Sequence, residues 1–236
     1  MVYSEKKNGL GKKQLMFPNN MIEIIPVIDI KKGKAVRAYK GEREKYEDIG
    51  NVLDIAKKYR LNKFNKIYIA DLDAIMHGFK FGNFDLIKDI AANNAVNLMV
   101  DFGIKNIEEY NVIKEKVAKT STKNIDLLVG TETYLSSEFP DDAIISIDAF
   151  DGEVSGRNFE SVVRFLKSNT NPFITIDLKR IGTSNPNTEL CKKIYEGVGR
   201  KFIYGGGATS SNILILAQYC SGAIIGTEIY GKLNLI

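Results

Sequence analysis

The chain has 236 residues, 44% of them hydrophobic and 26% charged, with only five prolines, a composition that excludes a disordered or collagen-like chain and supplies material for a sizeable core. Its formal charge of +4 is scattered along the sequence, with no dense basic cluster interleaved with aromatics, which argues against a nucleic-acid partner. Cys191 and Cys220 are too few and too far apart for a disulfide framework or a zinc site, so a reducing, cytoplasmic compartment is expected and no metal.

Residues 1–20, MVYSEKKNGLGKKQLMFPNN, lack an apolar run long enough for a signal-peptide core or a membrane span and are expected to form a flexible leader. From residue 21 onward, short β-rich runs alternate with amphipathic stretches. IEIIPVIDI (22–30) is followed by NVLDIAKKY (51–59), then KIYIADL (66–72) by FDLIKDIAA (84–92), VNLMVDF (96–102) by NIEEYNVIKEKV (106–117), and IDLLVGT (125–131) by SSEFPDD (136–142), which is barely a helical turn. The pattern resumes with AIISIDA (143–149) and ESVVRFLKS (160–168), FITIDL (173–178) and TELCKKIYEG (188–197), KFIYGGG (201–207) and SSNILILAQYC (210–220), and ends with GAIIGT (222–227). The strand runs are almost wholly apolar, as expected for strands covered on both faces of a parallel sheet, and apolar residues recur at three and four in the intervening stretches. Asn83, Asn106, Asn158, Asn187 and Ser210 or Ser211 are the expected N-caps.

Eight such βα units leave a closed (β/α)8 barrel or an open doubly wound sheet. Internal repetition separates them. VGTETY (129–134) returns as IGTEIY (225–230), and Asp29 with Gly33 returns as Asp148 with Gly152. IYIADLD (67–73) resembles FITIDLK (173–179), and MVDFGI (99–104) resembles IYGGGA (203–208). Four units recurring in the same order predict one domain over residues 21–236, an α/β (β/α)8 TIM barrel built from two half-barrels of four units each.

In such a barrel the reactive groups stand at the C-terminal strand ends, so Asp29, Asp71, Asp148 and Asp177 are expected to face one mouth. Gly206, Gly207, Gly226 and Thr227 form the expected phosphate cup on the last two strands, where glycines let backbone N–H groups approach an anion. His77, the single histidine, lies in the loop after the second strand, and Lys179 and Arg180 follow the sixth.

IPVIDIKKGKAVR (25–37), IADLDAIMHG (69–78), GGGATS (205–210) and IIGTEIYGK (224–232) resemble the motifs of the histidine-biosynthesis barrels, ProFAR isomerase and the cyclase subunit of imidazole glycerol phosphate synthase. The resemblance implies a duplicated barrel that binds a bisphosphorylated, rod-shaped substrate with one phosphate per half. It implies a general base at Asp29 and a second carboxylate at Asp148, a pair suited to an Amadori rearrangement without metal or organic cofactor. Three positions depart from that pattern. IGT at 181–183 stands where the isomerase carries an Asp-Gly-Thr acid, Ile176 replaces a threonine with Asp177 following as a candidate acid, and Asp101-Phe102-Gly103 replaces a triple-glycine phosphate loop. A carboxylate there repels a phosphate dianion, while Gly103, Gly130 and Thr131 keep the rest of the first cup. The expectation is therefore a phosphosugar isomerase acting on a related phosphorylated small molecule, as a monomer or homodimer with no membrane partner. The alternatives are a cyclase or lyase of the same family with a glutaminase partner, and a non-catalytic phosphometabolite-binding protein.

Overall fold

The computed structural model describes residues 22–94, 96–120, 124–136 and 138–236; the expected leader, 1–20, lies outside them. Eight parallel strands close into a barrel: β1 (Glu23–Lys31), β2 (Lys66–Asp71), β3 (Asn97–Asp101), β4 (Ile125–Gly130), β5 (Ile144–Phe150), β6 (Phe173–Asp177), β7 (Phe202–Gly205) and β8 (Cys220–Ile225). Each pairs with its sequence neighbour, and β8 returns to β1, with Glu23 beside Gly222 and Pro26 beside Ile225. The β1 residues Val27 to Ile30 pair instead with β2, so Pro26 stands where the strand changes its registered partner. Closure leaves the barrel strands without a free edge, which is the arrangement that near-continuous apolar strands require.

Around the barrel run α1 (Val52–Leu61), α2 (Leu72–His77), α3 (Phe84–Asn94), α4 (Ile107–Ala118), α5 (Phe159–Ser168), α6 (Thr188–Val198), α7 (Ile213–Leu216) and α8 (Thr227–Lys232). Asn106, Asn158 and Asn187 cap α4, α5 and α6 as expected, each side chain accepting a first-turn N–H, and Asn51 does the same for α1. Asn83 does not: its amide donates to Asp71 and Asp73. Nor does Ser210 or Ser211 start a long helix, since α7 is a single turn preceded by Asn212.

The two halves match in detail. After β1 and after β5 the chain folds back through a two-residue turn into a short antiparallel strand, Lys34–Arg37 in one half and Glu153–Val154 in the other. Both turns need positive φ at both central residues, 52° and 72° at Lys32-Gly33 and 55° and 87° at Asp151-Gly152, the signature of a type I′ hairpin. The GTE segments answer one another too. Tyr134 N–H bonds to the Gly130 carbonyl at 2.9 Å and Tyr230 N–H to that of Gly226 at 3.0 Å, and both rings are buried. The repeat is thus a tight turn pinned to the barrel by an aromatic ring. Among the described residues, no helix is long and apolar enough to cross a membrane.

Candidate active site

Strand parity decides what the barrel presents at its C-terminal end. Side chains alternate between the inside and the helix layer, so the upper interior positions fall on Asp29, Ala70, Asp101, Asp148, Ile176, Gly205 and Ile224. They line a cavity of about 830 Å³, roofed by the loops after β1, β4, β6, β7 and β8. Lys40 N–H bonds to the Ile181 carbonyl at 3.0 Å, joining the loop after β1 to the one after β6.

Asp29 and Asp148 both face this space and are only 9% and 7% exposed. Burial pushes the Asp29 carboxyl up from 3.8 to about 7. Asp148 is also pushed up to about 7, first by burial and then by the charge of Asp101, against the Ser146 hydroxyl at 2.8 Å and the Glu132 N–H at 3.2 Å, which bond to its carboxylate. Asp101 is raised to about 6 by burial, opposed by the Gly103 N–H that it accepts at 2.8 Å.

Asp71 and Asp177 do not join them. Each lies one residue beyond the inward position of its strand, Asp71 after Ala70 and Asp177 after Ile176, and a single step turns a side chain to the opposite face. Asp71 is fully buried and accepts Asn83 N–H at 2.5 Å, Asn83 Nδ2 at 2.8 Å and Ala74 N–H at 3.2 Å, fastening the β2–α2 turn. Asp177 is 0% exposed, is absent from the cavity wall and packs beneath Gly206. Asp177 therefore stands off the cavity wall, not at the catalytic place expected of it.

Gly206, Gly207, Gly226 and Thr227 all line the second-half rim. Gly206 (φ 133°) and Gly207 (φ 72°) adopt backbone that only glycine takes without strain, and a Cβ at Gly206 would stand 2.8 Å from the Asp177 carbonyl oxygen. Glu228 also stands on this rim. Burial works against its charge, yet Lys232 at 2.5 Å and the hydroxyl and N–H of Ser210 hold its carboxyl below the usual value.

The first-half cup is different. Gly103, Gly130 and Thr131 are not on the cavity wall, contrary to expectation. Gly103 gives its N–H to Asp101, Gly130 lies so close to the Asp148 carboxylate that a Cβ would meet it at 2.6 Å, and Thr131 Oγ1 accepts the Asp148 N–H at 3.0 Å. The protein's own carboxylates stand where the cup would open.

His77 is exposed, packs its ring edge-to-face on Phe81 and does not line the cavity; Lys179 pairs with Asp151 at 2.5 Å. Arg43, Tyr46, Tyr68, Glu132 and Glu228 line the cavity without having been singled out by sequence. Tyr68 had a readable signal, because it shares the inward parity of Ala70, and Glu132 and Glu228 are the third letters of the repeated GTE. Arg43 sits in a polar loop, GEREKYED, that carries none.

The class the fold defines is a closed (β/α)8 barrel, here with an interior aspartate from each half at one cavity and a glycine-lined rim on the last two strands. The sequence profile of the family described as histidine biosynthesis protein matches residues 23–233, and the chain belongs to that family. A protein of Methanocaldococcus jannaschii whose own function is uncharacterized is 32% identical over 227 residues, 91% of this chain and 96% of that one. The ProFAR isomerase of Clostridium acetobutylicum is 31% identical, covering 90% of this chain and 95% of its own, and that of Pyrococcus furiosus 30%, covering 90% and 91%. Among solved structures, orotidine 5'-monophosphate decarboxylase from Metallosphaera sedula superposes with a TM-score of 0.54 at 10% identity, over 90% of this chain and 95% of that one, a likeness of fold alone.

Proposed function

We propose that the protein is an aldose–ketose isomerase that acts on a phosphorylated, sugar-derived substrate by carboxylate acid–base catalysis. Support comes from the family and from the relatives named ProFAR isomerase. The observation that carries the reading is the pair Asp29 and Asp148, on strands four apart, both buried at one cavity and both raised to about 7. Two carboxyl groups titrating near neutrality can stand in opposite protonation states, so that one donates while the other accepts.

In an Amadori-type shift, a carboxylic acid protonates the ring oxygen as the sugar opens to an imine at carbon one. The partner carboxylate then removes the proton from carbon two, and the resulting enaminol becomes the ketone as that carboxyl returns its proton to carbon one and the enol hydroxyl gives its proton to the carboxylate that first acted as acid. The sequence is redox-neutral and returns both carboxyls to their starting states. Asp29, which has no hydrogen-bond partner among the described residues, suits the base that meets carbon; Asp148, held by Ser146 and Glu132, suits the fixed donor. The phosphate belongs on the second-half rim at Gly206, Gly207, Gly226 and Thr227, where the glycines leave the backbone uncovered.

Turnover of ProFAR and of monophosphorylated aminoaldoses, followed by the appearance of the ketose, tests this reading. Asp29→Asn and Asp148→Asn should each lower kcat by about 10²–10⁴-fold, with the affinity for inorganic phosphate unchanged. Binding without turnover in the unmodified protein would make it a carrier of phosphometabolites instead.

A further inference from the structure

The cavity wall is lopsided in charge. Among the described lining residues stand six carboxylates, Asp29, Glu44, Asp101, Glu132, Asp148 and Glu228, against one cation, Arg43. Glu228 is neutralised by Lys232, whereas no salt bridge joins Asp29, Asp101, Glu132 or Asp148 to any described residue. The interior positions of β1, β3 and β5 are aspartates, and those of β6, β7 and β8 are Ile176, Gly205 and Ile224. One wall is acidic and the other apolar.

The acidic wall contains a niche. Asp29 and Asp101 both stand in register with Ala70, on either side of it, so two carboxylates flank a position that carries only a methyl group. Below it on the same face of β2 is Tyr68, 6% exposed. Neither the Tyr68 hydroxyl nor the Asp29 carboxylate has a hydrogen-bond partner among the described residues, though both are more than nine-tenths buried and face the cavity. Opening onto the cavity, these acceptors are left free for an occupant that brings donors. The N–H groups that could instead have met an anion here, those of Gly103 and Glu132, are already given to Asp101 and Asp148.

We infer that the niche between Asp29 and Asp101 binds a cationic, ammonium-type group, so that the substrate carries a phosphate at one end and a protonated amine at the other. An ammonium brings three donors and a positive charge to two carboxylates that no salt bridge neutralises, while a second phosphate meets repulsion from both. The inference rests on the phosphate reading of the second-half rim given above.

Calorimetric titration of the full chain at pH 8 and moderate salt, with matched alkyl monophosphates of about four to eight carbons ending in an amine, a hydroxyl or a second phosphate, is the test. The aminoalkyl phosphate of the best length should bind at least about tenfold tighter than its hydroxyl counterpart, and the bisphosphate more weakly than either. Asp101→Asn, which keeps an oxygen for the Gly103 N–H and so preserves the loop, should abolish most of that preference and leave the hydroxyalkyl phosphate unaffected. Glu132→Gln should reduce it in part. Equal binding of amine and hydroxyl, or tightest binding of the bisphosphate, overturns the cationic niche while leaving the phosphate rim intact. If neither inorganic phosphate nor any alkyl phosphate binds, the rim reading is overturned and the niche with it.

Discussion

The carbonyl oxygen of Val27 accepts hydrogen bonds from two buried phenols, Tyr59 at 2.8 Å and Tyr230 at 3.0 Å. One atom of β1 thereby ties α1 and α8 to the barrel directly beneath Asp29. Removing either hydroxyl leaves the ring packed and the carbonyl with the other donor, so Tyr59→Phe and Tyr230→Phe should each destabilise the protein by about 1 kcal/mol in urea unfolding. A loss several times larger would mean that the hydroxyl organises more than this contact. Gly206 is the opposite case, since its backbone at φ 133° and the Asp177 carbonyl below it tolerate no side chain. Gly206→Ala should weaken binding of inorganic phosphate at least about tenfold and also cost stability, because the strained backbone must move. At this scale much of the cavity wall was legible: Asp29, Asp148 and the rim glycines line one cavity, at the strand ends where the repeat placed them. Asp71 and Asp177 were not, because the end of a strand can be read from an apolar run but its parity cannot, and one residue separates the cavity from the helix layer.

Among elements, the β2–α2 turn depends most on a single side chain. Asp71 is buried, its carboxyl is raised by burial against the bonds from Asn83 and Ala74, and it gathers three donors from both ends of the loop. Asp71→Ala strands those donors, and the expected cost is roughly 3 kcal/mol, while Asp71→Asn, which keeps an acceptor, should cost less. Hydrogen exchange offers the direct check: amides of residues 72–83 should lose protection in the alanine variant ahead of the rest of the barrel. The eight strands and the long helices were legible because apolar runs and Asn caps coincide at their starts. The hairpin strands Lys34–Arg37 and Glu153–Val154 were not, being short and polar, although the Asp-x-x-x-Gly repeat already contained their turns. Helix α2 was hidden by its length of six residues, too short for a period to show.

For the whole molecule, the two halves share a chain path and differ in what they expose. Hairpins, GTE turns and buried tyrosines recur, and each half brings an aspartate to the cavity, Asp29 and Asp148, yet where the first half adds Asp101 the second has Gly205 and an open glycine rim, an asymmetry suited to the unsymmetrical ligand proposed above. That asymmetry carries a stability cost with a definite pH dependence. Burial raises Asp29 and Asp148 from 3.8 to about 7 and Asp101 to about 6, so between pH 4 and 7 the folded protein holds protons that the unfolded chain has released. Stability from these groups is fully present below about pH 4 and is lost as pH rises through 6 and 7. At pH 8 each raised group opposes folding by an amount on the order of a few kcal/mol. Asp29→Asn removes the charge and keeps the shape, so its melting temperature should exceed that of the unmodified protein at pH 8 and converge with it near pH 4, as activity is lost. Thermal unfolding of the pair across that range decides the matter. Equal melting temperatures at pH 8 would mean that Asp29 ionises without penalty, and the acid–base chemistry proposed for the two aspartates would lose its physical basis.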